Sequence, residues 1–159
     1  MSTRLTKRGT PMVESRSLKI AFASHRLNRA IIDRVSARLT DMGYAAATPA
    51  TLDFLGALEC GENHASELAR MMGVSRQWVA KNVRQFCRLG YLEQCSGPGR
   101  QKRILFTQHG EQLIADARRV LAALDKQLGA RIGAAALADL LAATESVADA
   151  VEAIEGHGK

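Results

Sequence analysis

A run of basic and polar residues between Ser75 and Arg88 carries the clearest chemistry in this sequence. No acidic residue occurs between Glu67 and Glu93, so the positive charge of this run is uncompensated. Arginine and lysine donate to guanine edges and to phosphates, and glutamine pairs with adenine. The residues of the run that we predict to contact DNA are Ser75, Arg76, Gln77, Trp78, Lys81, Arg84 and Arg88. A solvated basic helix face is the alternative interpretation.

A second basic cluster lies at the tip of a predicted β-hairpin. Residues 91–95 and 103–106 each have the pattern of a short strand, and residues 96–99 between them read Ser-Gly-Pro-Gly, which favours a turn. A flexible cationic loop of this kind can reach phosphates or the minor groove. The residues of this cluster that we predict to contact DNA are Arg100, Gln101, Lys102 and Arg103.

Two short predicted helices joined by a glycine position the first basic run. The first extends from about His64 to Met72, and the second begins at its N-cap Ser75 and reaches Leu89, with Gly73 at the turn between them. The apolar contact between the two helices uses Leu68, Ala69, Val74, Val79 and Val83. Helix, turn, helix and hairpin in this order predict a winged helix-turn-helix over roughly residues 61–110. We expect Arg76 and Gln77 to contact base edges, and the other cations to contact phosphates.

Trp78, the only tryptophan of the chain, lies near the start of the second of these helices. One interpretation is that its ring packs against the first helix of the motif. The other is that it contacts a sugar-phosphate or a thymine methyl group. Replacement by alanine distinguishes the two interpretations, because packing predicts a loss of stability and contact predicts a loss of binding alone.

Longer helices are predicted on both sides of this unit. Apolar stripes with helical spacing extend over residues 18–42, 107–128 and 134–154. Thr48-Pro49 begins a shorter helix, and Gly61 ends that segment. Residues 129–133 separate the last two long helices. The residues of the last helix that we expect to face inward are Leu137, Leu140, Leu141, Thr144, Val147, Ala148 and Val151.

These elements predict a mainly α fold with a small β-hairpin wing. Residues 1–16 form a basic N-terminal arm, residues 17–46 an N-terminal dimerisation helix, residues 47–110 the winged helix-turn-helix, and residues 111–159 the C-terminal dimerisation helices. The stripes on the long helices exceed what one small unit can cover, so we predict a homodimer. Packing within one chain is the alternative.

The charge distribution favours a polyanion as partner. Residues 1–42 hold nine basic and three acidic residues, residues 61–110 hold eight and three, and residues 111–159 hold five and eight. No apolar run approaches the roughly 20 residues that a membrane-spanning helix needs. The N-terminus also lacks the pattern of a secretory signal. We therefore expect a cytoplasmic protein that has no membrane partner.

The residue types that serve catalysis or metal binding are scattered. The four histidines, at positions 25, 64, 109 and 157, have no metal-ligand spacing, and the cysteines at 60, 87 and 95 are odd in number. The glycines at 97 and 99 are not followed by the Lys-Ser/Thr of a phosphate loop. We predict no enzymatic activity, no cofactor and no metal. Reduced cysteines are expected, with redox sensing as the minor alternative.

The elements described above resemble those of the MarR family of bacterial regulators. The resemblance covers about residues 18–155. It implies a homodimer whose terminal helices interlock and whose two winged units bind a palindromic operator, more often as a repressor. The matching residues are Leu68, Ala69, Gly73, Val74, Ser75, Val79, Lys81, Val83, Phe86, Leu89, Gly90, Tyr91, Leu92, Arg100, Phe106, Thr107 and Gly110.

Two further expectations follow from the resemblance. The wing of the family usually carries Asp-x-Arg, whereas Pro98 stands at the aspartate position here, so Arg100 lacks its usual acidic neighbour. A small ligand often binds between the dimer helices and the winged unit. The candidate ligand-binding residues are His25, Met42, Tyr44 and Phe54, for which plain core packing is the alternative.

Two rival functions remain open at this stage. A winged helix can dock an acidic protein partner through its basic face, which predicts no preference for a specific DNA sequence. It can also bind DNA without sequence preference, as an architectural protein. Selection of bound sequences from a random pool distinguishes these rivals from a sequence-specific regulator.

Overall fold

The computed structural model describes residues 4–5, 7–9, 11–44, 46–58, 61, 63–96 and 102–155. It is mainly α with small antiparallel sheets, which confirms the predicted fold class. In chain order, the elements are β1 (Arg4–Leu5), β2 (Pro11–Met12), α1 (Arg16–Asp41), α2 (Pro49–Gly56), β3 (Asn63–His64), α3 (Ala65–Met71), α4 (Arg76–Arg88), β4 (Leu92–Ser96), β5 (Lys102–Phe106), α5 (Gln108–Ile132) and α6 (Ala134–Glu155).

Most of the hydrophobic core lies in the segment from α2 to the start of α5, which we call the head, and Val35 and Leu39 of α1 are buried in the same cluster. Val79, Val83 and Phe86 recur at helical spacing on α4, and all three are buried, as predicted. Phe54 of α2 stacks on Phe86 with ring centroids 5.0 Å apart. Ile104 of β5 is completely buried in the same cluster. The head therefore has a continuous core that holds α4 with its opposite face toward solvent.

The turn between α3 and α4 depends on Gly73, whose φ of +65° is one that favours glycine. The amide of Val74 donates to the carbonyl of Ala69 (3.0 Å), and the Ser75 hydroxyl accepts from the amide of Trp78 (3.1 Å). The second bond satisfies one of the free amides at the start of α4. The predicted turn and cap are confirmed.

The wing belongs to a three-stranded sheet of order β3-β5-β4, in which both pairings are antiparallel. The hairpin β4–β5 was predicted, but β3 was not. Its two residues are too few to show a period, and only their pairing with β5 makes them a strand. His64, predicted to begin α3, lies in β3 and pairs with Arg103. We expect this helix to bury either Met71 or Met72, and it is Met72 that is partly buried, while Met71 is exposed.

Gly110 joins α5 to the head at very short range. A Cβ atom at this position would lie 2.0 Å from the carbonyl oxygen of Tyr91. The Thr107 hydroxyl accepts from the amide of Gly110 (3.1 Å) and donates to the carbonyl of Gly90 (2.5 Å), so it caps α5 and ties the helix to the end of the α4 segment. Glycine is required here by close approach of two backbones and not by a positive φ.

Helix boundaries also differ from the prediction in α1, α2 and α5. The N-cap Ser15 accepts from the amide of Leu18 (3.1 Å), so α1 begins at Arg16. The α2 helix ends at Gly56, earlier than the predicted end at Gly61. The α5 helix continues through Gly129 and stops at Gly133, whose φ is +91°. Alanine and leucine on both sides of Gly129 favour helix enough to offset the cost of one glycine, about 1 kcal/mol.

The outer helices behave differently from the head. The stripe of α1 is buried only at Val35 and Leu39, while Ile20 and Leu27 are exposed. The residues of α6 predicted to face inward do not do so within one chain, because Leu140, Leu141, Thr144, Val147, Ala148 and Val151 are all exposed and Leu137 is half-buried. The prediction of inward-facing side chains is therefore wrong for the isolated chain.

The segment predicted as an arm contains the strand pair β1–β2, in which Arg4 lies opposite Met12. Among the described residues, no helix is long and apolar enough to cross a membrane.

Candidate nucleic-acid interface

The outer face of α4 presents the predicted basic residues to solvent. Arg76, Gln77, Lys81, Arg84 and Arg88 are all exposed, and the cap residue Ser75 is exposed with them. This exposure follows from the helical period, because Val79, Val83 and Phe86 are buried on the opposite side of the same helix. An exposed cationic helix face with a capped N-terminus has the shape and charge that a major groove accepts.

Trp78 lies at the boundary between this face and the core. Its side chain is 41% exposed, and its ring lies 5.8 Å from the ring of Phe54 at a tilt of 56°. The Nδ2 of Asn82 donates to the carbonyl of Trp78 (2.9 Å). Part of the indole thus packs on the head core while another part is open to a ligand, so the geometry contains elements of both interpretations.

Of the two described wing cations, Lys102 lies on the same side of the head as the basic face of α4. Lys102 is exposed at the start of β5, and Arg103 is half-buried between its strand partners His64 and Cys95. Strand alternation places Lys102 and Gln94 on the same sheet face as the buried Ile104. The predicted contacts of Arg100 and Gln101, and the effect of Pro98, lie outside the described residues.

A cleft of about 400 Å³ separates α4 from the wing. It joins three of the predicted residues, Arg76, Arg84 and Lys102, in one concave surface. Ala65 and Ala80 supply its small side chains, and three further polar residues lining it were not predicted, namely His64, Ser66 and Gln94. No sequence pattern marked these three, because they belong to β3, to the start of α3 and to β4, which meet only in the folded head.

A second cavity, of about 280 Å³, lies between α1 and α5. Arg34 and Arg38 line it from α1, and Arg119 lines it from α5. Arg34 donates to Oε1 of Gln127 (3.1 Å), which links the two helices at the cavity. Of the four candidate ligand-binding residues, Met42 lines this cavity.

The other three candidates do not line this cavity. Phe54 is buried in the head core against Phe86, which matches the alternative of plain core packing. His25 is exposed on α1. Tyr44 is half-buried at the end of the α1 segment and donates to Asp116 of α5. The structure thus distributes these residues over different regions and does not gather them around one cavity.

Asp116 is the centre of a buried polar cluster beside the second cavity. Its carboxylate accepts from the hydroxyl of Tyr44 (2.7 Å) and from the amide of Gln112 (3.1 Å), and it pairs with Arg119. The hydrogen bonds from Tyr44 and Gln112 lower the pKa of Asp116, and the nearby Arg119 acts in the same direction. The hydrogen bond to Asp116, with burial second, raises the pKa of Tyr44 to about 12. Asp116 is therefore a charged acceptor that ties α1 to α5.

His109 connects this cluster to the wing through ring stacking. Its imidazole lies 4.9 Å from the ring of Tyr91 and 5.8 Å from the ring of Tyr44, with interplanar angles of 16° and 30°. Tyr91 precedes β4, and Tyr44 follows α1. The stack therefore joins the head to the long helices at one point.

The cysteines and histidines form no metal site among the described residues, where no group of three or more potential ligands comes together. Cys87 and Cys95 are free thiols that are each half-buried. Burial, and then the charge of Glu93, raises the pKa of the Cys87 thiol, which disfavours its reactive thiolate. Cys60 lies outside the described residues.

No protein-family model and no curated protein sequence matches the chain. Solved structures do match it. A MarR transcriptional regulator from Methanosarcina mazei superposes with a TM-score of 0.71 at 15% identity, covering 88% of this chain and 99% of the other. MarR from Escherichia coli, in its apo form, superposes with a TM-score of 0.64 at 16% identity, and the match covers 86% of this chain and 98% of the other. CouR from Rhodococcus jostii, bound to p-coumaroyl-CoA, superposes with a TM-score of 0.61 at 18% identity, and the match covers 86% of this chain and 96% of the other.

These similarities extend over the head and the long helices together, because they cover most of each chain. At such low sequence identity they concern the fold. The chain has the winged-helix fold of MarR-family transcriptional regulators.

Proposed function

We propose that this protein is a transcriptional regulator of the MarR family that binds a palindromic operator as a homodimer. The observation that carries the proposal is the exposed basic face of α4, with Lys102 of the wing on the same side of the head. Each head inserts α4 into a major groove, and the cations around it contact phosphates. The protein acts in the cytoplasm, by binding and not by catalysis.

Selection of bound duplexes from a random pool tests the proposal. We expect a palindrome whose half-sites lie one helical turn apart, roughly 34–36 Å. Affinity should fall about 10³–10⁵-fold between about 50 and 200 mM salt if the dimer contacts about 6–10 phosphates. Equal recovery of all sequences would favour a nonspecific architectural protein. Absence of duplex binding would favour an interaction module with an acidic partner.

The homodimer is supported by apolar surface that one chain leaves uncovered. A groove of about 850 Å³ between α1 and α6 is lined by Ile20, Leu27, Leu140, Val147 and Val151, among others. Exposed apolar patches of this extent mark interaction sites. Small residues at 143 and 148 let a second helix approach closely. Sedimentation at micromolar concentration tests the dimer, and a species of 17.2 kDa would overturn it.

An anionic effector that releases the DNA, with the protein acting as a repressor, is the second part of the proposal. The α1–α5 cavity supports it, because Arg34, Arg38 and Arg119 line the cavity against one carboxylate, that of Asp116. The related CouR structure contains an anionic thioester, p-coumaroyl-CoA. Release would follow if the effector bound more tightly to a head separation that does not fit the operator.

A panel of aromatic carboxylates and acyl-CoA thioesters tests this effector proposal. Each compound is added to the complex of protein and selected duplex at constant ionic strength, and DNA release is measured. We expect Arg38→Gln to weaken the response to an active compound while DNA affinity without the compound stays the same. An unchanged response in this variant would place the effector outside the α1–α5 cavity.

A further inference from the structure

We infer that the cleft between α4 and the wing seats one phosphate of the DNA backbone, and that His64, Ser66 and Gln94 take part in holding it. The inference rests on the proposed function and specifies a contact that the recognition helix and the wing make together. Three parts of the head form the cleft. The α4 helix contributes Arg76 and Arg84, the wing contributes Lys102, and the β3 strand before α3 contributes His64.

The chemistry of the cleft is that of an anion site. The described residues of its lining carry two guanidinium groups, one ammonium group, a hydroxyl, a primary amide and an imidazole, and none of these residues carries a carboxylate. Every one of these groups can donate a hydrogen bond. Charged donors of this kind form short, strong hydrogen bonds with phosphate oxygens.

The cations of the cleft have no partner in the part of the chain that the structure describes. Among the described residues, Arg76, Arg84 and Lys102 enter no ion pair or hydrogen bond. This contrasts with α1 and α5, where Arg29, Arg38 and Arg119 each pair with an acid on the same helix. The Nδ1 atom of His64 is buried and has no hydrogen-bond partner among the described residues. Cations that converge on one cleft without an acidic partner give it a positive potential, which attracts an external anion.

The position of the cleft favours the DNA backbone as the source of that anion. The cleft opens between α4, which is proposed to enter a major groove, and the wing, whose loop is expected to reach phosphates or the minor groove. The sugar-phosphate backbone is what separates a major groove from the neighbouring minor groove. A phosphate of that strand would therefore meet Arg84 from one side and Lys102 from the other.

A variant that introduces a negative charge with almost no change of shape provides the first test. Gln94→Glu places a carboxylate in the cleft, and Gln108→Glu makes the same change of charge on the exposed first residue of α5, outside the cleft. Affinity is measured for the duplex obtained by selection, with circular dichroism to verify folding. We expect Gln94→Glu to bind at least about tenfold more weakly than Gln108→Glu, because a like charge would face the phosphate. Equal affinities of the two variants would overturn the inference.

Replacing single DNA phosphates by uncharged methylphosphonates identifies the phosphate that the cleft contacts. Single methylphosphonate substitutions are scanned along the selected duplex with wild-type protein and with Arg84→Gln. We expect one position in each half-site at which the substitution weakens the wild type severalfold and weakens Arg84→Gln much less, because that contact is already lost. Equal losses for both proteins at every position would overturn the inference while leaving sequence-specific binding established. Failure of wild-type protein to bind any selected duplex would instead contradict the proposed function.

Inorganic phosphate distinguishes a backbone phosphate from a free anion. It is titrated at constant ionic strength into protein without DNA, and the imidazole NMR signals of His64 are followed. We expect no saturable shift at micromolar phosphate, because a single free anion lacks the rest of the duplex. A saturable shift at that concentration would identify the cleft as a free-anion site and overturn its assignment to the DNA backbone.

Discussion

In the head, Val79, Val83 and Phe86 point away from solvent within one chain, whereas on the outer helices Phe22, Leu141 and Ile154 are 65%, 60% and 75% exposed. Both regions consist of helices with apolar residues at helical spacing. The head buries its stripe against its own sheet and neighbouring helices, but α1 and α6 leave most of theirs uncovered. The comparison teaches that periodicity predicts a helix without indicating what covers its apolar face.

The difference has a functional consequence under the proposed function. A head in which α4 packs on neighbouring helices and strands can keep the shape of its basic surface while the distance to a second head changes. Outer helices that need a second copy make the distance between two heads a property of the assembly. The Tyr44–His109–Tyr91 stack and the Tyr44–Asp116 hydrogen bond lie where the two regions meet.

The largest effect is expected from Gly110→Ala, which disrupts the packing of the head itself. The added Cβ would lie 2.0 Å from the Tyr91 carbonyl oxygen, so two backbones must separate. We expect the free energy of unfolding to fall by about 3 kcal/mol, measured by chemical denaturation at fixed protein concentration. Gly56→Ala is the control, because nothing lies within 4 Å of its Cβ position. Similar stability of the two variants would contradict the close approach.

Leu140→Glu attacks the outer helices instead. Leu140 lines the apolar groove between α1 and α6, and a carboxylate buried there without a partner would cost about 3 kcal/mol of dimer stability. We expect sedimentation to show monomers at concentrations where the wild type is dimeric, while the near-UV signal of Trp78 is retained. Glu145→Gln, on an exposed part of the same helix, should remain dimeric. A dimeric Leu140→Glu protein would place the interface elsewhere.

Trp78→Ala tests the edge of the head core. Because 41% of the side chain is exposed and part of it packs on Phe54, we expect a loss of about 1–2 kcal/mol, less than the 3–5 kcal/mol typical of a buried aromatic. Phe86→Ala is the buried comparison. Denaturation and DNA affinity are measured on the same samples. An unchanged stability with weakened DNA binding would show that the indole serves contact alone.

The smallest effect is expected at the junction of the two regions, from Tyr44→Phe. Because the folded-state pKa of Tyr44 is about 12 against an ordinary 10.0, its contribution to stability is fully present below pH 10 and is lost as the pH rises from 10 to 12. The lowered pKa of Asp116 has the opposite sign, so its contribution is lost as the pH falls below the ordinary 3.8. We expect the variant to lose stability less steeply above pH 10. Equal slopes would exclude Tyr44 as the cause.

Much of the head could be predicted because its signals are local. The burial of Val79, Val83 and Phe86 follows from their spacing on one helix. The turn at Gly73 and the caps at Ser75, Thr48 and Thr107 depend on residues within one turn of each other, as the observed bonds confirm. The exposed basic face of α4 follows from the same period, since the side opposite a buried stripe faces solvent.

The cleft and the junction could not be predicted, because their residues meet only through nonlocal pairing. His64 lies next to the wing because the two residues of β3 pair with β5. Gln94 belongs to β4, which pairs with β5 at the opposite edge of that sheet. Gly110 matched a family pattern, but its physical reason is a carbonyl oxygen about twenty residues earlier in the chain. The helix through Gly129 was missed because one glycine costs less than its helix-forming neighbours contribute.

The sequence by itself determined the helices, their caps and the sign of the charge on α4, since these depend on spacing and on side-chain chemistry within a few residues. Tertiary structure alone decided which apolar stripes one chain covers and which cations share a cleft. The physical reason is that burial and electrostatic convergence depend on distances in space, and residues such as Gln94 and Arg84 become neighbours only when sheet and helix pack together.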